Sequence, residues 1–271
     1  MTPIDPRFLA AVAEIVGDAH LWVDLERTAP AAVDWTGRFR APPAPVVRPA
    51  DAAEVAAVVG LARAAGVALV PQGGNTGLVG GAVPGDGGVV VDLRRLDGVL
   101  DVDPLGGQLT ALAGTPVAVV QAAARAAGWA YGVDWAARDS ATIGGSVATD
   151  AGGLRFVRHG GTRRQLVGIV AVLGTGDRIT HLSRVEKDNT GYDLAGLLCG
   201  SEGTLGLITA ARLRLVAPAP PTATALVGFA DVGRAVAAAS HLRRWLPGLE
   251  AVELMLADGV DLVRAAFDLP A

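Results

Sequence analysis

Eleven residues from Pro71 to Gly81, PQGGNTGLVGG, carry five glycines and follow the apolar run Val67–Val70. Glycine admits positive φ and lets a ligand approach main-chain N–H groups closely. Successive N–H groups aimed into one concavity bind an anion, typically a phosphate. The chemistry expected here is capture of a phosphate-bearing cofactor, mainly by backbone. Two common phosphate patterns do not fit. The G-x-G-x-x-G turn finds Asn75 in its second glycine position, and the G-K-[ST] loop needs a Gly-Lys pair that the chain lacks. A plain glycine-rich connection is the alternative reading of this stretch alone.

A second cluster runs from Asp139 to Gly153, DSATIGGSVATDAGG. Ser140, Thr142 and Thr149 offer hydroxyl donors. The pairs Gly144-Gly145 and Gly152-Gly153 permit close backbone approach. Two such clusters, far apart in the chain, suit a long diphosphate cofactor better than a single phosphate. A third segment comprises Lys187–Leu194, KDNTGYDL, and Gly200–Thr209, GSEGTLGLIT.

Together, in this order, the three segments resemble the FAD-linked oxidases that share the PCMH-type, vanillyl-alcohol oxidase-like FAD-binding domain. Within that family they are most similar to the group of D-2-hydroxyglutarate dehydrogenase, D-lactate dehydrogenase and the glycolate oxidase large subunit. The similarity spans about residues 38–217. It implies that Gln72, Gly73, Gly74, Asn75, Thr76 and Gly77, with Gly80 and Gly81, hold the FAD pyrophosphate. Asp134, Ser140, Thr142, Gly144 and Gly145 would continue around the diphosphate and isoalloxazine. Thr149, Asp150, Gly152 and Gly153 would line the flavin-ring side, and Glu202, Gly203 and Ile208 the adenosine end, Ile208 through its backbone. Members with a histidyl-flavin carry His in the first loop. Here that stretch reads Asn75-Thr76, so dissociable FAD is expected.

The resemblance also implies a reaction, the oxidation of a D-2-hydroxy acid to the 2-oxo acid with hydride transfer to flavin. Electrons would pass on to a quinone or an electron-transfer flavoprotein. Two departures stand out. Asp150 occupies a position where similar proteins usually have Asn, and a carboxylate there disfavours an anionic reduced ring unless it is protonated or turned away. The group's substrate half, with its divalent-metal-binding histidines, would follow the stretch Glu250–Met255, whereas the chain ends at Ala271. The expectation is a fragment, or a protein that binds FAD without completing that active site. Alternatives are a subunit of a glycolate-oxidase-type complex and a non-catalytic flavoprotein remnant. Partners would then be the hydroxy acid, the electron acceptor, and a second copy or a complementary subunit.

The elements that position these segments follow from periodicity. Residues 3–17 read as an amphipathic helix and Val46-Val47 as the start of a strand. Asp51 and Glu54 open a helix in which Val55, Val58, Val59 and Ala62 share one face, and Gly66 closes it. A strand over Val67–Val70 then delivers the glycine loop at its carboxyl end, where α/β sheets bind ligands. Strands are expected at Val89–Asp92, Val99–Val102 and Gln108–Ala113, and a helix from Thr115-Pro116 to Ala127. A hairpin follows at 167–173 and 178–182, then a helix from Asp193 and a strand at 207–216. Pro218, Pro220 and Pro221 mark a linker. Beyond it the pattern is strand 223–229, helix 231–245, strand 249–256, helix 258–267. The fold expected is α+β: two α/β subdomains of a PCMH-type domain over 38–217, preceded by an N-terminal helical segment over 1–37. The start of a ferredoxin-like cap, 222–271, would follow.

With 271 residues, 51% of them hydrophobic, and a net charge of −4, the chain can bury a large core and lacks the basic footprint of a nucleic-acid binder. The pairs Arg163-Arg164 and Arg243-Arg244 read as solvated surface. Cys199, the one cysteine, sits in an apolar run and reads as a small buried hydrophobe. Asp5, Glu14 and Asp18 interrupt any leader-like start, no apolar run is long enough to span a membrane, and a cytoplasmic location is expected. Tyr192 reads as a packing residue with a bonded hydroxyl. Among the histidines, His159 is the best placed for an active-site role, and Lys187 is the one lysine. No general base is assigned, and no metal ligands are expected in this stretch.

Overall fold

The computed structural model describes residues 4–85 and 87–269. Its first layer is built from the N-terminal part of the chain. Helix α1 (Pro6–Val16) starts where the Asp5 carboxylate accepts from the Arg7 N–H, with proline at the first helical position. Strand β1 (Leu21–Trp22) and a single helical turn, α2 (Leu25–Thr28), follow. Strand β2 (Val46–Val47) precedes α3 (Ala52–Ala65). Asp51 caps α3 by accepting from the N–H groups of Ala53 and Glu54, and Gly66, at φ 67°, ends it in the left-handed conformation. Strands β3 (Leu69–Gln72) and β4 (Val89–Asp92) complete a four-stranded sheet of order β1-β2-β4-β3. β2, β4 and β3 run parallel, and β1 is antiparallel.

The strand expected at 67–70 begins two residues later because the Val67 N–H is spent on the Ala62 carbonyl at the helix end. The N-terminal segment is part of this layer. Phe8, Val12 and Val16 of α1 pack with Val58 and Ala62 of α3, and β1 pairs with β2. At the end of β4, the fully buried Asp92 carboxylate pairs with Arg48 at 3.0 Å and Arg94 at 2.8 Å.

The second layer is a five-stranded antiparallel sheet of order β5-β6-β9-β7-β8. Its strands β5 (Val99–Asp103) and β6 (Gln108–Leu112) lead into α4 (Val117–Ala126). Three short helices follow: α5 (Ile143–Ala148), α6 (Phe156–His159) and α7 (Thr162–Gln165). The expected hairpin forms from β7 (Leu166–Leu173) and β8 (Arg178–His181). Helix α8 (Leu194–Leu198), capped by Asp193, precedes the central strand β9 (Gly206–Arg214). Leu109, Ala111, Ile169, Ala211 and Leu213 of this sheet bury against Val117 and Val120 of α4 and Ile143 and Val147 of α5. A further cluster joins the layers: Val55 and Val59 of α3 and Val91 of β4 meet Val172 of β7 and Leu207 of β9.

The tail differs from expectation. Helices α9 (Val232–Trp245) and α10 (Ala257–Phe267) form, but neither contains a buried residue. Residues 223–229 and 249–256 are not strands. Alternating apolar residues make a strand only where a neighbouring edge can accept the ladder hydrogen bonds, and none lies alongside these stretches. The tail is tied back through Glu250, which pairs with Arg158 and lies 3.9 Å from His159.

Candidate cofactor-binding site

β3 ends at Gln72, and the chain then leaves the sheet as the glycine loop. Among the described residues, no main-chain N–H from Gly73 through Ala82 donates a hydrogen bond. Unpaired N–H groups concentrated in one loop are costly unless water or a ligand satisfies them. The side chains flanking the loop are occupied. Gln72 Nε2 donates to the Ala31 and Ala82 carbonyls at 3.0 Å each, and Asn75 Nδ2 donates to the Val33 carbonyl at 2.8 Å. Gln72 and Asn75 therefore brace the loop against the N-terminal segment. Asn75 takes φ 51°, an uncommon conformation outside glycine.

The glycines have a second purpose besides ligand access. A Cβ on Gly73 would overlap the Thr142 hydroxyl, and one on Gly74 would overlap the Ser140 carbonyl. A Cβ on Gly80 would lie 2.6 Å from the Phe39 ring. The loop is thus pressed directly onto the second cluster, and the two stretches that sequence reading singled out meet.

In the second cluster, Thr142 is buried, and its hydroxyl accepts from the Gly145 N–H at 3.3 Å. The Ile143, Gly144 and Ser146 N–H groups donate to the Thr115, Ala113 and Thr142 carbonyls. Thr149 Oγ1 donates to the Gly145 carbonyl at 3.0 Å. Of the three hydroxyls expected to serve phosphate, only that of the exposed Ser140 makes no hydrogen bond among the described residues. The N–H groups of Gly152 and Gly153 are likewise unspent. Gly153 is required for fit, since at φ 152° it lies against the Asp134 carbonyl. The Asp134 side chain accepts from Gln121 at 2.9 Å and from Arg138 at 3.0 Å, and pairs with Arg155 at 3.4 Å. Burial pushes its carboxyl upward, but the Gln121 and Arg138 bonds outweigh that and hold it below the usual range. Asp134 is a brace for the turn at 152–155, not a member of the loop contact.

The third segment closes on both. The Gly200 and Glu202 N–H groups donate to the Val147 and Ala148 carbonyls at the end of α5. Gly203 packs under the Pro71 ring, and a Cβ on Gly81 would lie 2.8 Å from Glu202 Oε2. Glu202 at φ 50° and Asp150 at φ 48° join Asn75 as strained non-glycine residues, one per segment. Asp150 accepts from the Arg163 N–H at 2.8 Å and Nε at 3.0 Å. The Arg163 guanidinium also donates to the Gly196 and Cys199 carbonyls. Arg163 is exposed, as expected, and in addition ties the second segment to the third and compensates the Asp150 charge.

Ile208 packs in the buried cluster that also holds Ala141, Ile143 and Val147 of the second segment. It lies near the start of β9, paired with Ala171 across the ladder. Tyr192 is 93% exposed and does not pack. Lys187 is exposed and makes no bond among the described residues. His159 lies against Gly132, with its pKa lowered first by burial, away from the glycine loop. Cys199 is buried as expected, and burial pushes its thiol up to about 11. Phe39 and the Ala31 and Val33 carbonyls carry no sequence signal, because a main-chain acceptor can belong to any residue type. A cavity of about 510 Å³ opens beside Asp150, lined by Phe156, Val157, Gly160, Gly161, Arg163, Arg164 and Arg243. Among the described residues, no group of three or more His, Cys, Asp and Glu is arranged to hold a metal ion. No described helix is long and apolar enough to cross a membrane.

Residues 43–181 match the family model described as the FAD binding domain. The chain belongs to that family. The chain is 42% identical over 233 residues to a D-2-hydroxyglutarate dehydrogenase of Xanthomonas citri pv. viticola, covering 83% of this chain and 49% of the relative. It is 36% identical over 217 residues to a probable mitochondrial D-2-hydroxyglutarate dehydrogenase of Oryza sativa subsp. indica, covering 80% and 39%. Among solved structures, an alkyldihydroxyacetonephosphate synthase superposes with a TM-score of 0.70 at 24% identity, over 80% of this chain and 42% of that one. The chain spans about half the length, or less, of the curated relatives it matches. The α+β, PCMH-type fold expected from sequence is the fold observed.

Proposed function

We propose that this chain binds FAD non-covalently between the loop 73–82 and the second cluster, and forms the cofactor half of a D-2-hydroxy-acid dehydrogenase. The observation that carries the reading is the run of unspent N–H groups from Gly73 to Ala82, held against Ser140 and Thr142. A hydrogen bond to a charged oxygen contributes about 1.5–3 kcal/mol, so three or four of these donors suffice for tight diphosphate binding. The loop contains no histidine to carry a covalent flavin. Gly152 and Gly153 offer further free N–H groups on the flavin-ring side, and Glu202 and Gly203 close the adenosine side.

FAD, when bound, supplies the hydride acceptor for oxidation of the substrate's C–OH group. The chain's own part is positional and electrostatic. Backbone donors offset the diphosphate charge. Arg163 compensates Asp150, so that carboxylate does not oppose a gain of negative charge on the ring. The relatives' names support a 2-hydroxyglutarate type of substrate. Lactate and glycolate types, and transfer of the electrons to a quinone or an electron-transfer flavoprotein, belong to the same proposal. The proposed location is the cytoplasm.

A second reading, in which a complementary subunit supplies the rest of the active site, is favoured by the exposed apolar side chains of α9 and α10, Trp245, Leu262 and Phe267 among them. The test of the cofactor assignment is a visible spectrum of the purified chain, repeated after denaturation and ultrafiltration. Yellow colour in the filtrate is expected. Correctly folded, colourless protein that takes up no added FAD would overturn it.

A further inference from the structure

A second cavity, of about 370 Å³, lies at the far end of α4 from the glycine clusters. The Val117 N–H at the start of α4 donates to the Ala141 carbonyl of the second cluster. Arg125 stands in the last turn of the helix, about 12 Å further on. The cavity is lined by Gln121 and Arg125 of α4, by Trp129, by Arg155 just before α6, and by Pro218 and Ala219 of the linker. Its volume suits a compact small molecule.

Two guanidinium groups line this cavity, and no acidic residue does. The exposed Arg125 side chain makes no hydrogen bond or ion pair among the described residues. Arg155 has one long contact, 3.4 Å to Asp134, a carboxylate that Gln121 and Arg138 already engage. An open acceptor stands beside them. Gln121 is 6% exposed, and its Nε2 is spent on the Val133 carbonyl at 3.2 Å and the Asp134 carboxylate at 2.9 Å. Those two acceptors fix the orientation of the amide and leave Oε1 without a partner among the described residues. That oxygen is not sealed from solvent, so it opens on the cavity that Gln121 lines. It calls for an N–H or O–H donor. Trp129 adds a flat wall, held in place by its Nε1 bond to the Pro104 carbonyl at 3.0 Å and by the close approach of Gly107 to its ring.

Guanidinium groups converging from two separate elements match the several oxygens and double charge of a phosphate monoester. An indole face stacks a nucleobase. A sugar hydroxyl is the donor that an open amide oxygen lacks. We propose that the cavity formed by Gln121, Arg125, Trp129, Arg155, Pro218 and Ala219 binds a nucleoside monophosphate, apart from the cofactor groove. The phosphate meets Arg125 and Arg155, the base lies on Trp129, and a sugar hydroxyl donates to Gln121 Oε1. The site does not depend on the cofactor reading.

The test is calorimetric titration of AMP into the full chain, with and without saturating FAD, at about 0.15 M salt so that diffuse attraction is screened. AMP is expected to bind at a single site in both cases. Adenosine, which lacks the phosphate, and ribose 5-phosphate, which lacks the base, are each expected to bind about tenfold more weakly or worse. Arg125→Gln is expected to weaken AMP about tenfold or more, and Arg125→Lys less than Arg125→Gln. Arg125 is exposed and unpartnered, and unchanged melting of the variants reports intact folding. No saturable AMP binding, an unchanged Kd in Arg125→Gln, or ribose 5-phosphate binding as tightly as AMP would each overturn the assignment. AMP binding that saturating FAD abolishes would overturn it too, because the nucleotide would then occupy the cofactor groove. AMP binding that Arg125→Gln weakens, in a chain that takes up no FAD, sinks the cofactor reading alone. FAD binding without AMP binding sinks the nucleotide site alone.

Discussion

Gly74→Ala is the sharpest probe of the contact between the two glycine clusters. The new Cβ would overlap the Ser140 carbonyl and lie 2.7 Å from its carbon and 3.2 Å from Ala141 Cα. All three atoms are backbone, so no rotamer can yield. Carbon atoms rest at about 3.5–4.0 Å, so the two segments must part by roughly 1 Å. Overpacking of this kind costs about 1–3 kcal/mol, which lowers the melting temperature of a chain this size by several degrees. The effect on FAD is expected to be larger than the effect on folding. Donors misplaced by about 1 Å no longer point at the diphosphate, and losing two of them at about 1.5–3 kcal/mol each weakens FAD about 100-fold or more. The assay is quenching of flavin fluorescence on titration, beside thermal melts of the cofactor-free protein. Gly60→Ala is the control: Gly60 lies in α3 with nothing within 4 Å, and alanine there should be neutral or slightly stabilising. A Gly74→Ala protein that melts lower yet binds FAD with wild-type affinity would refute the reasoning, because the close approach would then serve packing alone.

Two other outcomes are expected. Arg163→Ala frees the Asp150 carboxylate and should weaken FAD and lower the flavin midpoint potential. Adding Asp150→Asn should restore much of both, and a double variant no better than the single would show that Arg163 acts only through the Gly196 and Cys199 carbonyls. Asp92 gives a pH prediction. Burial raises its carboxyl, but the side-chain and backbone bonds of Arg94 and the charge of Arg48 win, and the folded pKa lies below the ordinary value. Its contribution is then fully present above about pH 4 and is lost as pH falls through the lower, folded pKa. Asp92→Asn should cost on the order of 2 kcal/mol at neutral pH, less than a fully buried pair because Arg94 is half-exposed, and should flatten the acid limb of urea midpoints measured against pH. An equally steep acid limb in the variant would exclude Asp92 as its source.

Much of this architecture was legible in the residues because local and tertiary signals agree. Asp51, the Val55, Val58, Val59 and Ala62 face, and Gly66 specify α3 redundantly, and it forms as read. The convergence of the glycine clusters was legible in kind: glycine marks close approach. What approaches was not, since the same absence of a Cβ serves a ligand or the Ser140 carbonyl. Arg163 lies on the surface as read, but its bonds to the Gly196 and Cys199 carbonyls left no trace in the sequence, because a main-chain acceptor can belong to any residue type. Thr149 spends its hydroxyl proton on the local Gly145 carbonyl, whereas Thr142 accepts from the Gly145 N–H and keeps its proton. The tail strands were read from their local apolar pattern, and a local pattern does not provide a partner edge.

The braces on Gln72 and Asn75 bear on where a working unit begins. Their acceptors include the carbonyls of Ala31 and Val33, upstream of the family match at 43–181, and the central strand β9 lies downstream of it. The stretch that sequence kinship outlines is therefore not autonomous. Trimming a recombinant chain to it would remove the middle of one sheet and unmoor the loop at the edge of the other.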